Sequence, residues 1–252
     1  MIKRIILTCV FITVFASAKT IIADVTADGI ADEIVMGLKT VVVKDGASGK
    51  VYTVGSEVEF LADVTVGDYF RPTKGREVAI VTVPEEYETI VYGYRNKQFA
   101  AVSELLPGDV TFDDEDRLFG YETHGWHETD AIVYWPIIHH EGFLKPAPII
   151  EESETTIVVI AGTTREIEFT LPAQSMAVCV AATDDKDLVV FLQDEDGTLI
   201  KQEMIDDKVG FSGMMFAPDE AMFSLNFDNS QSAVDKKVHY LIRQYSYPSM
   251  LK

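Results

Sequence analysis

The sequence predicts an all-β protein, a partial propeller-like β-repeat region followed by an antiparallel β-sandwich. Three observations predict it. Short runs rich in Val, Ile, Tyr and Thr recur along the chain with period-two character and no helical period. The triplet Asp-Val-Thr occurs at Asp24, Asp63 and Asp109, at spacings of 63 − 24 = 39 and 109 − 63 = 46 residues. A period near forty with several strands per unit is the mark of propeller blades or a β-solenoid. In the second half, turns such as Asp194-Glu195-Asp196-Gly197 separate further short apolar runs, which is the pattern of a sandwich.

The chain opens MIKRIILTCVFITVFASAK. Lys3 and Arg4 supply a positive start, residues 5–15 an apolar core, and Ala16-Ser17-Ala18 a small-residue cleavage site. This is the layout of a secretory signal peptide over residues 1–18, too short in its apolar run to span a bilayer. The expectation is a secreted, periplasmic or extracellular protein with no transmembrane span after cleavage. Formal charge is −20, and loss of Lys3 and Arg4 makes it −20 − 2 = −22. Such acidity repels nucleic acid and anionic membranes and attracts cations. Cleavage also removes Cys9 and leaves Cys179, in the apolar setting AVCVAA, so no intramolecular disulfide forms. Cys179 reads as a small core residue on a strand.

Residues 19–150 are expected to hold three repeat units. After each triplet come an acidic or glycine-containing loop and a short apolar strand, at 33–36, 77–80 and 130–133. A later strand appears at 51–54 in the first unit and 90–92 in the second, and a phenylalanine follows at Phe60, Phe99 and Phe143. The stretch ADVTADGIADEIVM, residues 23–36, sets Asp24, Asp28 and Asp32 around Gly29. It reads either as a calcium loop or as an acidic turn. Ca²⁺ takes about six to eight oxygens, alternate residues of a tight loop can aim carboxylates inward, and glycine permits the sharp turn.

The residues from Asp24 to Val35 resemble the FG-GAP/VCBS repeats of integrin-type propellers, in which an Asp-rich loop holds Ca²⁺ between two strands of a blade. The resemblance implies Asp24, Asp28 and Asp32 as carboxylate ligands of Ca²⁺, with Thr26 in a ligand position and the carbonyl of Ile30 beside them. Thr26 departs from the family, which usually has Asn or Asp there. The second loop brings in Arg71, Lys74 and Arg76, which oppose a cation. The third stays acidic at Asp109, Asp113, Asp114, Glu115 and Asp116 but lacks the turn glycine.

The third loop carries the other candidates. His124 and His127, with His139 and His140 downstream, suit a transition-metal cluster or a surface loop, at a spacing that matches no helix-borne zinc signature. Tyr121 and Trp126 suit contact with a protein or carbohydrate ligand, or anchorage of the loop on the repeat core. Three blades cannot close a propeller, so the repeats form an open arc or need further copies, a possible homo-oligomer.

The stretch 145–155, KPAPIIEESET, reads as a linker to a second domain over residues 151–252. Eight strands are expected there, at 157–161, 165–171, 176–182, 188–193, 199–204, 210–216, 221–227 and 237–245. Phe223, Leu225 and Phe227 alternate toward a core, while Asp228 and Asn229 bond their own turn. FTLPAQSMAVCVAATDDKDLVVFLQDEDGTLI, with FSLNFDNSQSAVDKKVHYLI after it, resembles the GOLD β-sandwich of p24-type cargo proteins. That likeness implies a protein-binding module rather than a catalyst.

The function expected from these readings is an exported non-enzymatic binding or adhesion module, calcium-binding through its Asp-rich loop. Two alternatives stand beside it. One is a secreted hydrolase or metal-dependent enzyme using the acidic and histidine-bearing region 109–141, since such a hydrolase needs paired carboxylates at about 5–9 Å and this region is rich enough to supply them. The other is a structural subunit completed by oligomerisation.

Overall fold

The computed structural model describes residues 19–55, 61–70, 75–82, 88–113, 117–126, 129–185 and 187–247. Residues 1–18, on which the expected signal peptide falls, and Phe60, Arg71 and Lys74 lie outside the described residues. Every regular element described is a strand, and the strands form antiparallel sheets.

The first three sheets are meanders. The first runs β1 (Thr20–Ala23), β2 (Asp32–Met36), β3 (Val41–Lys44), β4 (Val51–Val54). The second runs β5 (Leu61–Gly67), β6 (Glu77–Thr82), β7 (Glu88–Arg95), β8 (Gln98–Ala101), with the short β9 (Leu106–Pro107) beside β7. The third runs β10 (Asp109–Phe112), β11 (Leu118–Trp126), β12 (Thr129–His140), β13 (Phe143–Pro146). Each is built like a propeller blade, four strands joined by local turns. Their first strands begin 61 − 20 = 41 and 109 − 61 = 48 residues apart.

The Asp-Val-Thr triplets mark this repeat without occupying equivalent places in it. Asp24 follows β1, Asp63 lies inside β5, and Asp109 opens β10. The triplet is strand-edge composition whose register drifts, whereas the sheet order is kept by pairing.

The remaining strands are β14 (Ile149–Val159), β15 (Thr164–Leu171), β16 (Ser175–Thr183), β17 (Leu188–Asp194), β18 (Leu199–Ile205), β19 (Phe211–Ala217), β20 (Ala221–Asp228) and β21 (Lys236–Ser246). They form two four-stranded sheets, β14-β21-β16-β19 and β15-β20-β17-β18. That order is the double-sheet winding of a jelly roll. All eight expected strands of this half are present.

The linker expectation is corrected. Residues 149–156 belong to β14, and Glu151 to Val159 pair with Gln244 to Lys236 of β21. As an edge strand exposed over most of its length, β14 tolerates Glu151, Glu152 and Glu154, and such charges also block edge-to-edge association. Its polar sequence therefore imitates a linker.

Four apolar layers join the five sheets face to face. Ile34, Val41 and Val43 of the first sheet meet Val78 and Ile80 of the second. Ala79 and Val91 of the second meet Leu118 and Ile137 of the third. Phe119, Ala131 and Val133 of the third meet Met176, Val178 and Val180 of β16. The opposite face of β16, Ala177, Cys179 and Ala181, packs on Leu192, Leu225 and Phe227 across the jelly roll. β16 is thus buried at every residue and reads as a continuous apolar run, as a strand covered on both faces must. Two cation–π contacts cross the same junction, with Arg117 3.6 Å from the ring centre of Phe216 and Arg243 4.2 Å from that of Trp135.

Candidate functional site

The Asp-rich loop joins β1 to β2, and its carboxylates are turned onto the chain's own amides. Asp32 is fully buried and accepts from the amides of Val25 (2.9 Å), Thr26 (3.0 Å) and Gly46 (2.9 Å). Asp24 accepts from the amides of Asp28 and Gly29, and Asp28 from that of Ile30. The Asp28–Ile30 bond is an Asx turn, and Ala27 and Gly29 sit at positive φ. Gly46 has no room for a side chain, because a Cβ there would lie 2.1 Å from the Ala31 carbonyl oxygen. Among the described residues no group of three or more His, Cys, Asp or Glu side chains is arranged to hold a metal ion. The set Asp24, Thr26, Asp28, Ile30 and Asp32 is local in space, but its carboxylates converge on backbone donors.

The second sheet repeats the device with a different residue. Glu77, fully buried at the start of β6, accepts from the Phe70 amide at 2.9 Å. Burial pushes its carboxyl up to about 7, with the nearby Asp68 charge adding to the rise and the amides of Phe70 and Tyr69 opposing it.

The region 109–141 is mostly strand rather than loop. Asp109 accepts from the Tyr121 hydroxyl at 3.3 Å, and Asp113 forms an ion pair with Arg117 at 2.6 Å. Asp114, Glu115, Asp116 and His127 lie outside the described residues, as do the side chains of His124 and Trp126. The backbone nevertheless separates the histidines. His124 pairs with Ala131 and His139 with Leu144. His139 stands 139 − 131 = 8 residues along β12 from the position opposite His124, about 26 Å at strand rise. One metal ion cannot be shared by His124 with His139 or His140, which corrects the grouping of all four histidines on one metal, while a site at His124 and His127 falls on side chains outside the described residues. Tyr121 is half-buried against Tyr134. Cys179 is fully buried and its thiol is pushed up by burial, which leaves it inert.

A groove that no local pattern announces lies on the outer face of the sheet β15-β20-β17-β18. At about 140 Å³, it is lined by Glu166, Glu168, Gln193, Asp194, Glu195 and Ser224, among others. Register explains the lining. Ile167 and Phe169 lean into the core, so Glu166 and Glu168 stand on the other face of β15. Glu168 pairs with Ser224 of β20, and Ser224 pairs in turn with Gln193 of β17. Glu195 rises from the turn after β17. Asp194 is committed to that turn, accepting from the amides of Asp196 and Thr198. Asn226 donates to the Ser224 hydroxyl at 2.9 Å and fixes it. The sequence signal was the alternation Glu-Ile-Glu-Phe at 166–169, which shows a polar outer face but not what stands opposite it.

Neither a family model nor a curated protein matches the chain. Among solved structures it aligns with an exo-β-1,3-galactanase from Phanerochaete chrysosporium with galactose, over 90% of this chain and 68% of that one, at 8% identity and TM-score 0.35. It also aligns with the GH32 β-fructofuranosidase of Bombyx mori, over 86% and 64%, at 10% identity and TM-score 0.27. A GH31 α-xylosidase from Xanthomonas citri aligns over 91% of this chain and 32% of its own, at 9% identity and TM-score 0.23. Likeness at this level transfers no activity. The structures that align are glycoside hydrolases, whereas the sequence led to the expectation of a non-enzymatic binding or adhesion module.

Proposed function

We propose that the chain is a hydrolase acting on carbohydrate and that the groove on the outer jelly-roll sheet is where it works. One observation carries this reading, the placement of carboxylates on two walls of one groove, Glu166 and Glu168 on β15 and Glu195 beyond β17. β20 lies between those strands, so their backbones stand two strand spacings apart, about 9.5 Å, with Glu195 two residues beyond Gln193, which is level with Glu168 through Ser224. Inverting glycosidases hold their acid and base carboxyls about 6.5–9.5 Å apart, leaving room for a water. Glu168 and Glu195 are assigned as this pair. The acid of the pair protonates the departing glycosidic oxygen as the C–O bond breaks. The opposing carboxylate takes a proton from water, whose oxygen bonds the anomeric carbon from the other side. Ser224 and Gln193 on the groove floor offer hydrogen bonds to sugar hydroxyls. At about 140 Å³ the groove is well below the 300–1,000 Å³ of whole-ligand pockets, which suits one sugar unit rather than a chain.

The test is release of reducing sugar or nitrophenol from a panel of nitrophenyl glycosides and neutral oligosaccharides. Hydrolysis by the wild type, reduced at least 100-fold in Glu168→Gln and Glu195→Gln with unchanged circular dichroism, is the expected result. A folded wild type inactive across the panel, or full activity in both variants, overturns the proposal.

A further inference from the structure

Among the described residues none covers the outward face of the first sheet as the other stacked faces are covered. Its register produces two rows across the four strands, Ile22–Glu33–Lys44–Val51 and Thr20–Val35–Val42–Thr53. The opposite face of the same strands, including Ile34, Val41, Val43 and Val54, is buried against the second sheet. The far end of the stack is finished differently, with Glu166 and Glu168 outermost. Here Ile22 is 64% and Val51 59% exposed, with Val35 and Val42 half-exposed between them.

We infer that this face is a weak self-association surface, occupied by the same face of a second copy of the chain. The rows are self-complementary under one symmetry operation. A two-fold axis parallel to the strands, running between β2 and β3 in the plane midway between two facing sheets, places β2 of one copy against β3 of the other. Glu33 then meets Lys44 of the second copy and Lys44 meets its Glu33. Ile22 meets Val51, Val35 meets Val42, and Thr20 meets Thr53. Such an isologous contact closes at two copies. A two-fold axis across the strands would set the valine row against the charged row and lose this matching. The footprint is small. Four strands at about 4.8 Å and five residues at about 3.4 Å cover about 320 Å², against about 800 Å² per partner in a stable complex. With a formal charge of −20 on each copy, association belongs in the range of about 100–500 μM.

Sedimentation of the full chain from 10 to 500 μM tests this by charge exchange. Wild type should shift from monomer toward dimer across the range. Glu33→Lys and Lys44→Glu should each remain monomeric, because like charges then face each other, while retaining the wild-type melting temperature within a few degrees. An equimolar mixture of the two variants should associate at least as well as wild type, since both contacts of the mixed pair again join a lysine to a glutamate. Monomeric wild type at 500 μM, or a mixture that fails to associate, overturns the inference. Association of either single variant alone would point to a different surface and also overturns it.

Discussion

Two buried carboxylates show what a single side chain contributes to this fold. Asp32 ties the β1–β2 loop to the β3–β4 turn through three backbone amides, so its removal orphans three donors at once. Each orphaned buried donor costs about 1–3 kcal/mol, and partial access of water lowers the sum. Asp32→Ala should therefore lose about 3 kcal/mol in urea unfolding. Repeating the measurement with and without calcium separates the two roles of the loop, since loss of the amide bonds alone is the same in both. Glu77 makes a different prediction, about pH. Its folded value of about 7 lies above the ordinary 4.5, so the fold favours the protonated carboxyl. Its stabilising contribution is complete below about pH 4.5 and is lost as pH rises through about 7. The decline should amount to about 1–3 kcal/mol after allowance for solvent screening. Melting curves from pH 4.5 to 8 should show wild type falling relative to Glu77→Gln, which keeps a neutral acceptor at all pH values.

At the scale of elements, β14 and the glycine before β10 carry the sharpest consequences. Residues 149–159 pair with β21, so a protease meets an extended, hydrogen-bonded backbone rather than a free hinge. Native-state digestion with a glutamate-specific protease should leave the bonds after Glu151, Glu152 and Glu154 intact. New N-termini at those positions by sequencing would show that the strand opens. Gly108 sits at φ 68°, and a Cβ there would fall 1.9 Å from the carbonyl oxygen of Tyr121. The strands β10 and β11 cannot start their pairing around a side chain. Gly108→Ala should cost at least about 2 kcal/mol in denaturant unfolding, from the φ penalty and the displaced strand together.

At the scale of the molecule, the third sheet and β16 share one apolar layer, so the repeat half and the jelly roll do not end where the sequence expectation put a boundary. Val178 and Met176 would be exposed by separation, and such a patch favours a joint transition. Calorimetry of the full chain should give one transition, and Val178→Ala should lower its midpoint without splitting it. Separate transitions for the two halves would show the shared layer to be weak. The sequence by itself determined the all-β class, the repeat near forty residues and the eight strands of the second half, because period-two burial and turn chemistry are local properties. It also determined Phe223, Leu225 and Phe227 as core, and all three are buried. Tertiary structure alone decided that the Asp24–Asp32 carboxylates serve backbone amides, since the Gly46 donor comes from another turn. It alone decided that 149–156 is a strand, because only β21 supplies the partner. The groove needed it most. Glu168 and Glu195 are 195 − 168 = 27 residues apart and line one groove only because β20, from later in the chain, inserts between β15 and β17. Pairing between distant strands is written in no local pattern.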